Sequence, residues 1–162
     1  MSVTTAEVAE IIRGVSTRVI DPGFRRLSPD QIHEKAPGDL VTDLDRQAEG
    51  ELSRLLTSAG GGIVVGEESV HDDASVLQEL PTAELAWVID PIDGTKNYVN
   101  GSTHHAVMVA EVQHGVTTRS WIWQPQLGHM WIAERGNGLV CDGEPVTSDR
   151  RHPVPELSLI HI

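Results

Sequence analysis

Apolar residues recur at helical spacing from Ala6 to Ile20, where Val8, Ile11, Ile12, Val15 and Val19 fall on one face. The pattern predicts a helix that Asp21-Pro22-Gly23 brings to an end. From Phe24 to Asp39, Pro29, Pro37 and Gly38 break any period, and the stretch reads as mostly irregular chain. A second helix is predicted from near Thr42, with Leu44, Ala48, Leu52, Leu55 and Ala59 inward and Gly60-Gly61-Gly62 as its stop. Ile63-Val64-Val65 is a short uninterrupted apolar run suited to a buried strand, and it leads straight into Gly66-Glu67-Glu68.

Leu85-Ala86-Trp87-Val88-Ile89 predicts another buried strand that delivers Asp90 at its C-terminal end. After an interruption over 91–103, strand-like runs follow at Ala106 to Val112, Val116 to Trp123 and His129 to Ala133. Asp142-Gly143 is a hairpin-turn signal between Leu139-Val140-Cys141 and Glu144-Pro145-Val146. Two helices followed by an antiparallel-looking run of strands predict an α+β layered domain.

The 162 residues suit one domain with a single core, and 39% of them are apolar. A net charge of −12 argues against nucleic acid or an anionic membrane as partner, but not against a small phosphorylated metabolite, because metal-gathering carboxylates turn a negative pocket into an anion-binding one. Glu7, Glu10, Arg13 and Arg18 interrupt the N-terminal apolar positions, so no signal peptide is read there, and no run is long and apolar enough to span a bilayer. Cys141 is the single cysteine, which excludes an internal disulfide and any thiolate metal cluster and points to a reducing cytoplasm, and no zinc motif is read along the chain.

The most informative stretch is Asp90-Pro91-Ile92-Asp93-Gly94-Thr95. A strand ends at Asp90, Pro91 fixes a turn, and Asp93 can swing back beside Asp90. Carboxylates held that close repel unless a hard cation such as Mg²⁺ lies between them, and the Ile92 carbonyl is placed to add a ligand. Gly94 permits close backbone approach, and Thr95 opens a short helix whose free N–H groups favour phosphate. A tight turn with an Asp cap is the plain structural alternative. Glu67-Glu68 follows a separate buried strand, which favours a ligand role over a solvated loop. Thr42 and Asp45 form a helix-start box, a sufficient structural explanation; a catalytic role requires Asp45 near Thr95, where the pair could orient a water molecule.

With these residues in place, Lys35 to Asp45, Gly66-Glu67-Glu68-Ser69 and Trp87 to Asn97 resemble, in order and spacing, the front-half motifs of the inositol monophosphatase family. The resemblance implies a layered α/β sandwich of the sugar-phosphatase type, here its N-terminal helices and mainly antiparallel sheet. It implies Mg²⁺-dependent hydrolysis of a small phosphate monoester, with inositol monophosphate first, histidinol phosphate as the alternative, and a non-catalytic Mg²⁺- and phosphate-binding module as the other class. Glu67, Asp90 and the Ile92 carbonyl would hold one metal, and Asp90 with Asp93 a second. Gly94 and Thr95, with Asp93, would receive substrate. Thr95, Asp45 and the metal-bound Glu67 would serve catalysis. Glu67, Asp90 and Asp93 are therefore expected to converge, and a homodimer is expected of the full-length protein.

The family's back half, with its further metal-binding Asp, has no counterpart in this sequence. Residues 1–149 are expected to form the metal-binding domain, and 150–162 a linker and tail. Leu157 to Ile162 matches a reading frame of a sequencing adapter, so the native coding sequence is expected to have been cut near Glu156, a natural short apolar terminus being the alternative. His104-His105 reads as a solvated loop, and Trp121, Trp123 and Trp131 as core or dimer surface.

Overall fold

A computed structural model describes residues 3–147. The tail read over 150–162 lies outside the described residues. Helix α1, Thr5–Val15, starts at a reciprocal cap in which the Glu7 N–H donates to the Thr4 hydroxyl at 3.2 Å and the Thr4 N–H to the Glu7 carboxylate at 2.8 Å. The helical pattern expected to Ile20 continues past Val15 as a widened π turn over Ser16–Ile20 and a tight turn over Asp21–Gly23. Val8, Ile12 and Val15 on one face are fully buried.

The stretch read as irregular from Phe24 to Asp39 is corrected by a hairpin. Strands β1, Ile32–Ala36, and β2, Asp39–Thr42, pair antiparallel, with Ala36 opposite Asp39. Pro37 and Gly38 are the turn between them, and Gly38 has φ +84. Proline followed by a positive-φ glycine is the signature of a tight type II turn, so the residues that break the period are those that reverse the chain.

Helix α2 runs Asp43–Gly60. Its buried face is Asp45, Ala48, Glu49, Leu52 and Leu56, whereas Ala59, expected inward, is exposed, and Leu44 and Leu55 are half-buried. The buried stripe is thus turned towards two carboxylates that an apolar count passes over. It packs with α1 against one face of the sheet, where Trp87, Ile89, Val107, Val109, Trp121 and Met130 complete the core. Each fully buried aliphatic side chain there contributes roughly 1.5–3 kcal/mol. Trp87 and Trp121 lie 6.2 Å apart, and their indole N–H groups donate to the Gly61 and Thr5 carbonyls.

The sheet has seven strands in sequence order: β3 Ile63–Gly66, β4 Ala86–Asp93, β5 Ala106–Gln113, β6 Val116–Gln124, β7 His129–Glu134, β8 Gly138–Cys141 and β9 Glu144–Pro145. Only β3 and β4 are parallel; the other neighbours are antiparallel, as expected of an α+β fold. Short helices α3, Glu67–Asp72, and α4, Thr95–Val99, begin where β3 and β4 end.

Candidate active site

Strand register brings the acidic motifs together. In the parallel pair, Gly66 lies beside Ile89, so Glu67, which opens α3, and Asp90, which stays in β4, come next to each other at the end of the pairing. Residues 90 and 93 would point to opposite faces of a regular strand, their separation being odd. Between β4 and β5, however, Asp90 stands opposite Met108 and Asp93 opposite Ala106. One extra residue is accommodated on β4, and this bulge lets both aspartates serve one cleft. Gly94, with φ +79, then turns the chain into α4; a Cβ there would lie 3.1 Å from the His104 carbonyl.

The cleft, of about 240 Å³, is lined by Glu67, Asp90, Ile92, Asp93, Gly94 and Thr95 among others. The Thr95 hydroxyl lies 2.9 Å from the Ile92 carbonyl and 3.2 Å from Asp45 Oδ1. Asp45 is fully buried, and its Oδ2 accepts the N–H and hydroxyl of Thr42 at 2.8 and 2.5 Å. The helix-start box and the contact with Thr95 coexist, each using a different oxygen of one carboxylate.

The electrostatics are those of crowded acids. Burial, then the charge of Glu67, with Asp93 and Asp45 adding to it, pushes Asp90 up to about 8. Burial and Glu67 also raise Asp93. Asp45 is raised by burial, which outweighs its hydrogen bonds to Thr42 and Thr95. Asp90 Oδ1 is buried without a hydrogen-bond partner among the described residues. A buried, unpartnered carboxylate oxygen within an all-oxygen set fits a hard divalent cation such as Mg²⁺.

The convergence is incomplete in one respect. No three carboxylates of the cleft bring one oxygen each within 4.8 Å of the others. Lys35 also engages Glu67: its ammonium donates to Glu67 Oε1 at 3.0 Å and to Glu68 Oε1 at 2.6 Å. Its side chain is 4% exposed, and although burial opposes its charge, the bonds to Glu68 and Glu67 prevail and raise its pKa. Burial raises Glu68, with Lys35 opposing.

Two contributors escape a reading of the sequence. Lys35, one of only two lysines, falls within a recognisable motif, yet nothing local shows that it reaches Glu67. Glu49 lies one helical turn after Asp45 and accepts the N–H groups of Glu68 and Ser69 at 2.8 and 3.0 Å, capping α3. A carboxylate between Ala48 and Leu52 on the buried face of α2 is the signal that could have found it. The expected solvated loop at 104–105 is half right: His104 is exposed, but His105 is buried, packed against Phe24 and Tyr98 at 5.1 and 5.0 Å. Trp121 is core, while Trp123 and Trp131 are half-buried.

The inositol monophosphatase family model matches residues 2–161. The chain belongs to this family. It is 32% identical over 145 residues to the inositol-1-monophosphatase ImpA of Mycolicibacterium smegmatis, a match covering 90% of this chain and 49% of that protein. It is 33% identical over 127 residues to the Nus factor SuhB of Vibrio cholerae, covering 78% and 45%. The chain therefore spans about half the length of these relatives. The solved inositol monophosphatase of Thermotoga maritima shares the fold, with a TM-score of 0.74 at 24% identity over 88% of this chain and 52% of that one.

Proposed function

We propose that the chain carries the metal- and phosphate-handling part of a Mg²⁺-dependent phosphomonoesterase, with inositol monophosphate as substrate. The reading rests on the orphaned Asp90 oxygen in a cleft that also presents Glu67, Asp93 and Thr95, with Asp45 buried behind Thr95. Glu67, Asp90, Asp93 and the Ile92 carbonyl would hold the metal, Glu67 offering the oxygen that Lys35 does not use. The carbonyl lies within reach of the Thr95 hydroxyl and keeps a lone pair for metal even when that proton points to it. When bound, magnesium supplies charge neutralisation for the phosphate and for the attacking water.

The remaining chemistry belongs to the side chains. Thr95 has one hydroxyl proton and faces two acceptors, the Ile92 carbonyl and Asp45. Donation to Asp45 leaves the hydroxyl oxygen free to accept a bond from water and aim it at phosphorus. Asp45, locked by Thr42, fixes the direction of that bond. Gly94 and the first N–H groups of α4 receive the phosphate oxygens, and Asp93 meets the rest of the substrate. The small-metabolite partner, the homodimer and the cytoplasmic location belong to the same reading. The net charge of −12 supports an acidic metal site over a nucleic-acid surface, and no helix among the described residues is long and apolar enough to cross a membrane.

The test is calorimetric Mg²⁺ binding and phosphate release from inositol and histidinol phosphates. Saturable binding that Asp90→Asn abolishes is expected, with slow release, because the chain spans about half of its relatives and this cleft's donors serve one ion well. Unchanged Mg²⁺ binding by Asp90→Asn would reject the metal assignment. Binding with no release from either ester would favour the non-catalytic module.

A further inference from the structure

The far end of the sheet gathers three side chains to which the phosphatase reading gives no role. His129 opens β7, Cys141 ends β8, and Asp142 follows in the turn to β9. An imidazole nitrogen, the thiol sulfur and a carboxylate oxygen from these residues lie within 4.8 Å of one another, the only such trio of His, Cys, Asp or Glu among the described residues.

The backbone accounts for the meeting. Cys141 stands opposite Trp131, and His129, two residues before Trp131, points to the same face. Asp142 adopts φ +51 in the Asp142-Gly143 turn, which folds its side chain back over β7. Its N–H donates to the Met130 carbonyl at 2.9 Å, and its Oδ1 accepts the Met130 N–H at 2.8 Å. Those two bonds leave Oδ2 facing His129 Nδ1 at 2.8 Å and Cys141 Sγ at 3.7 Å. The carboxylate is thus oriented by the hairpin itself.

We propose that His129, Cys141 and Asp142 form a second metal site, for a borderline-soft divalent ion of the zinc class. One nitrogen, one sulfur and one oxygen donor suit tetrahedral Zn²⁺ and do not suit Mg²⁺. Glu144, directly opposite Cys141 in the β8–β9 pair, or water completes the fourth position. From Asp90 the paired residues run through Met108, Ile122 and Trp131 to Cys141. That is four strand spacings, roughly 19 Å at about 4.8 Å per strand, so the site is separate from the magnesium cleft. A bound ion ties β7 to the end of β8 and the turn that follows it.

Cobalt titration of the 162-residue chain under reducing conditions tests this. One equivalent of Co²⁺ is expected to give a thiolate charge-transfer band in the near ultraviolet and the ligand-field bands of a four-coordinate ion, both displaced by one equivalent of Zn²⁺. Cys141→Ser removes the charge-transfer band, and His129→Ala and Asp142→Asn weaken binding by about tenfold or more. Asp90→Asn leaves all of it unchanged. His129 and Asp142 are 49% and 43% exposed, so their replacement leaves the core untouched. Absence of the thiolate band at saturating cobalt overturns the proposal. So does unchanged affinity in both His129→Ala and Asp142→Asn, which reduces the site to a lone cysteine.

Discussion

Asp90 sits where burial and neighbouring charge both oppose its ionisation, and this has a consequence for stability. In the folded chain without metal it keeps its proton up to about 8, against an ordinary value of 3.8. Between those values the folded state binds more protons than the unfolded one, so stability falls as pH rises through that window. The contribution is complete below the ordinary value and lost above the folded one. Asp90→Asn should therefore flatten this fall and raise the thermal midpoint of the metal-free chain at alkaline pH. Parallel melting curves of the two proteins across the window would refute the assignment of the shift to Asp90. Thr95 offers a different separation. On the proposed function its hydroxyl would aim water without serving as a metal ligand, so Thr95→Ala should lower phosphate release by about a hundredfold while Mg²⁺ affinity changes little. Equal losses in kinetics and titration would mark a purely structural residue.

At the scale of elements, α2 orders the site. Its buried face places Asp45 against Thr95 and Glu49 against the start of α3. Glu49 fits there only because β3 ends in glycine: a Cβ on Gly66 would lie 2.1 Å from the Glu49 carboxyl carbon. Gly66→Ala should displace that carboxylate, leave the N–H groups of Glu68 and Ser69 unmet, and cost about 1–3 kcal/mol by overpacking. Urea denaturation measures this, and a midpoint equal to that of the parent would show that α3 does not depend on Glu49. The bulge in β4 is the complementary device, turning an odd residue spacing into two carboxylates that serve one cleft.

At the scale of the described residues as a whole, the seven-stranded sheet has unequal faces. Ile89, Val109 and Trp121 meet α1 and α2, whereas Met108, Ile122 and Trp131 on the other face are only half-buried. Beside them, Val70 and Leu77 roof a hollow of about 500 Å³ over Val88 and Met108. Apolar area left on a sheet face favours association, so the chain is expected to self-associate at rising concentration, and Ile122→Lys to oppose it. Sedimentation velocity decides the matter. A monomer at all concentrations, indifferent to Ile122→Lys, would contradict the expectation.

Much of this protein is set locally and can be read from its residues. The buried runs of β3 and β4, the Asp90-to-Thr95 motif and the Thr42–Asp45 box depend on short-range periodicity, turn chemistry and capping, all of which act within a few residues. The strand expected to end at Asp90, by contrast, runs on to Asp93 because the bulge keeps it paired with β5. The hairpin at Pro37-Gly38 is also local, but proline and glycine break a period and close a turn with equal ease, and only the pairing of β1 with β2 distinguishes the two. Tertiary structure decided the rest. The rotation of α2 towards Asp45 and Glu49, the reach of Lys35 to Glu67 and Glu68, and the burial of His105 all join residues distant in sequence. So does the meeting of His129 with Cys141 and Asp142. Such contacts follow from strand register and from which face of each element finds a partner, and those are properties of the packed sheet rather than of any one segment.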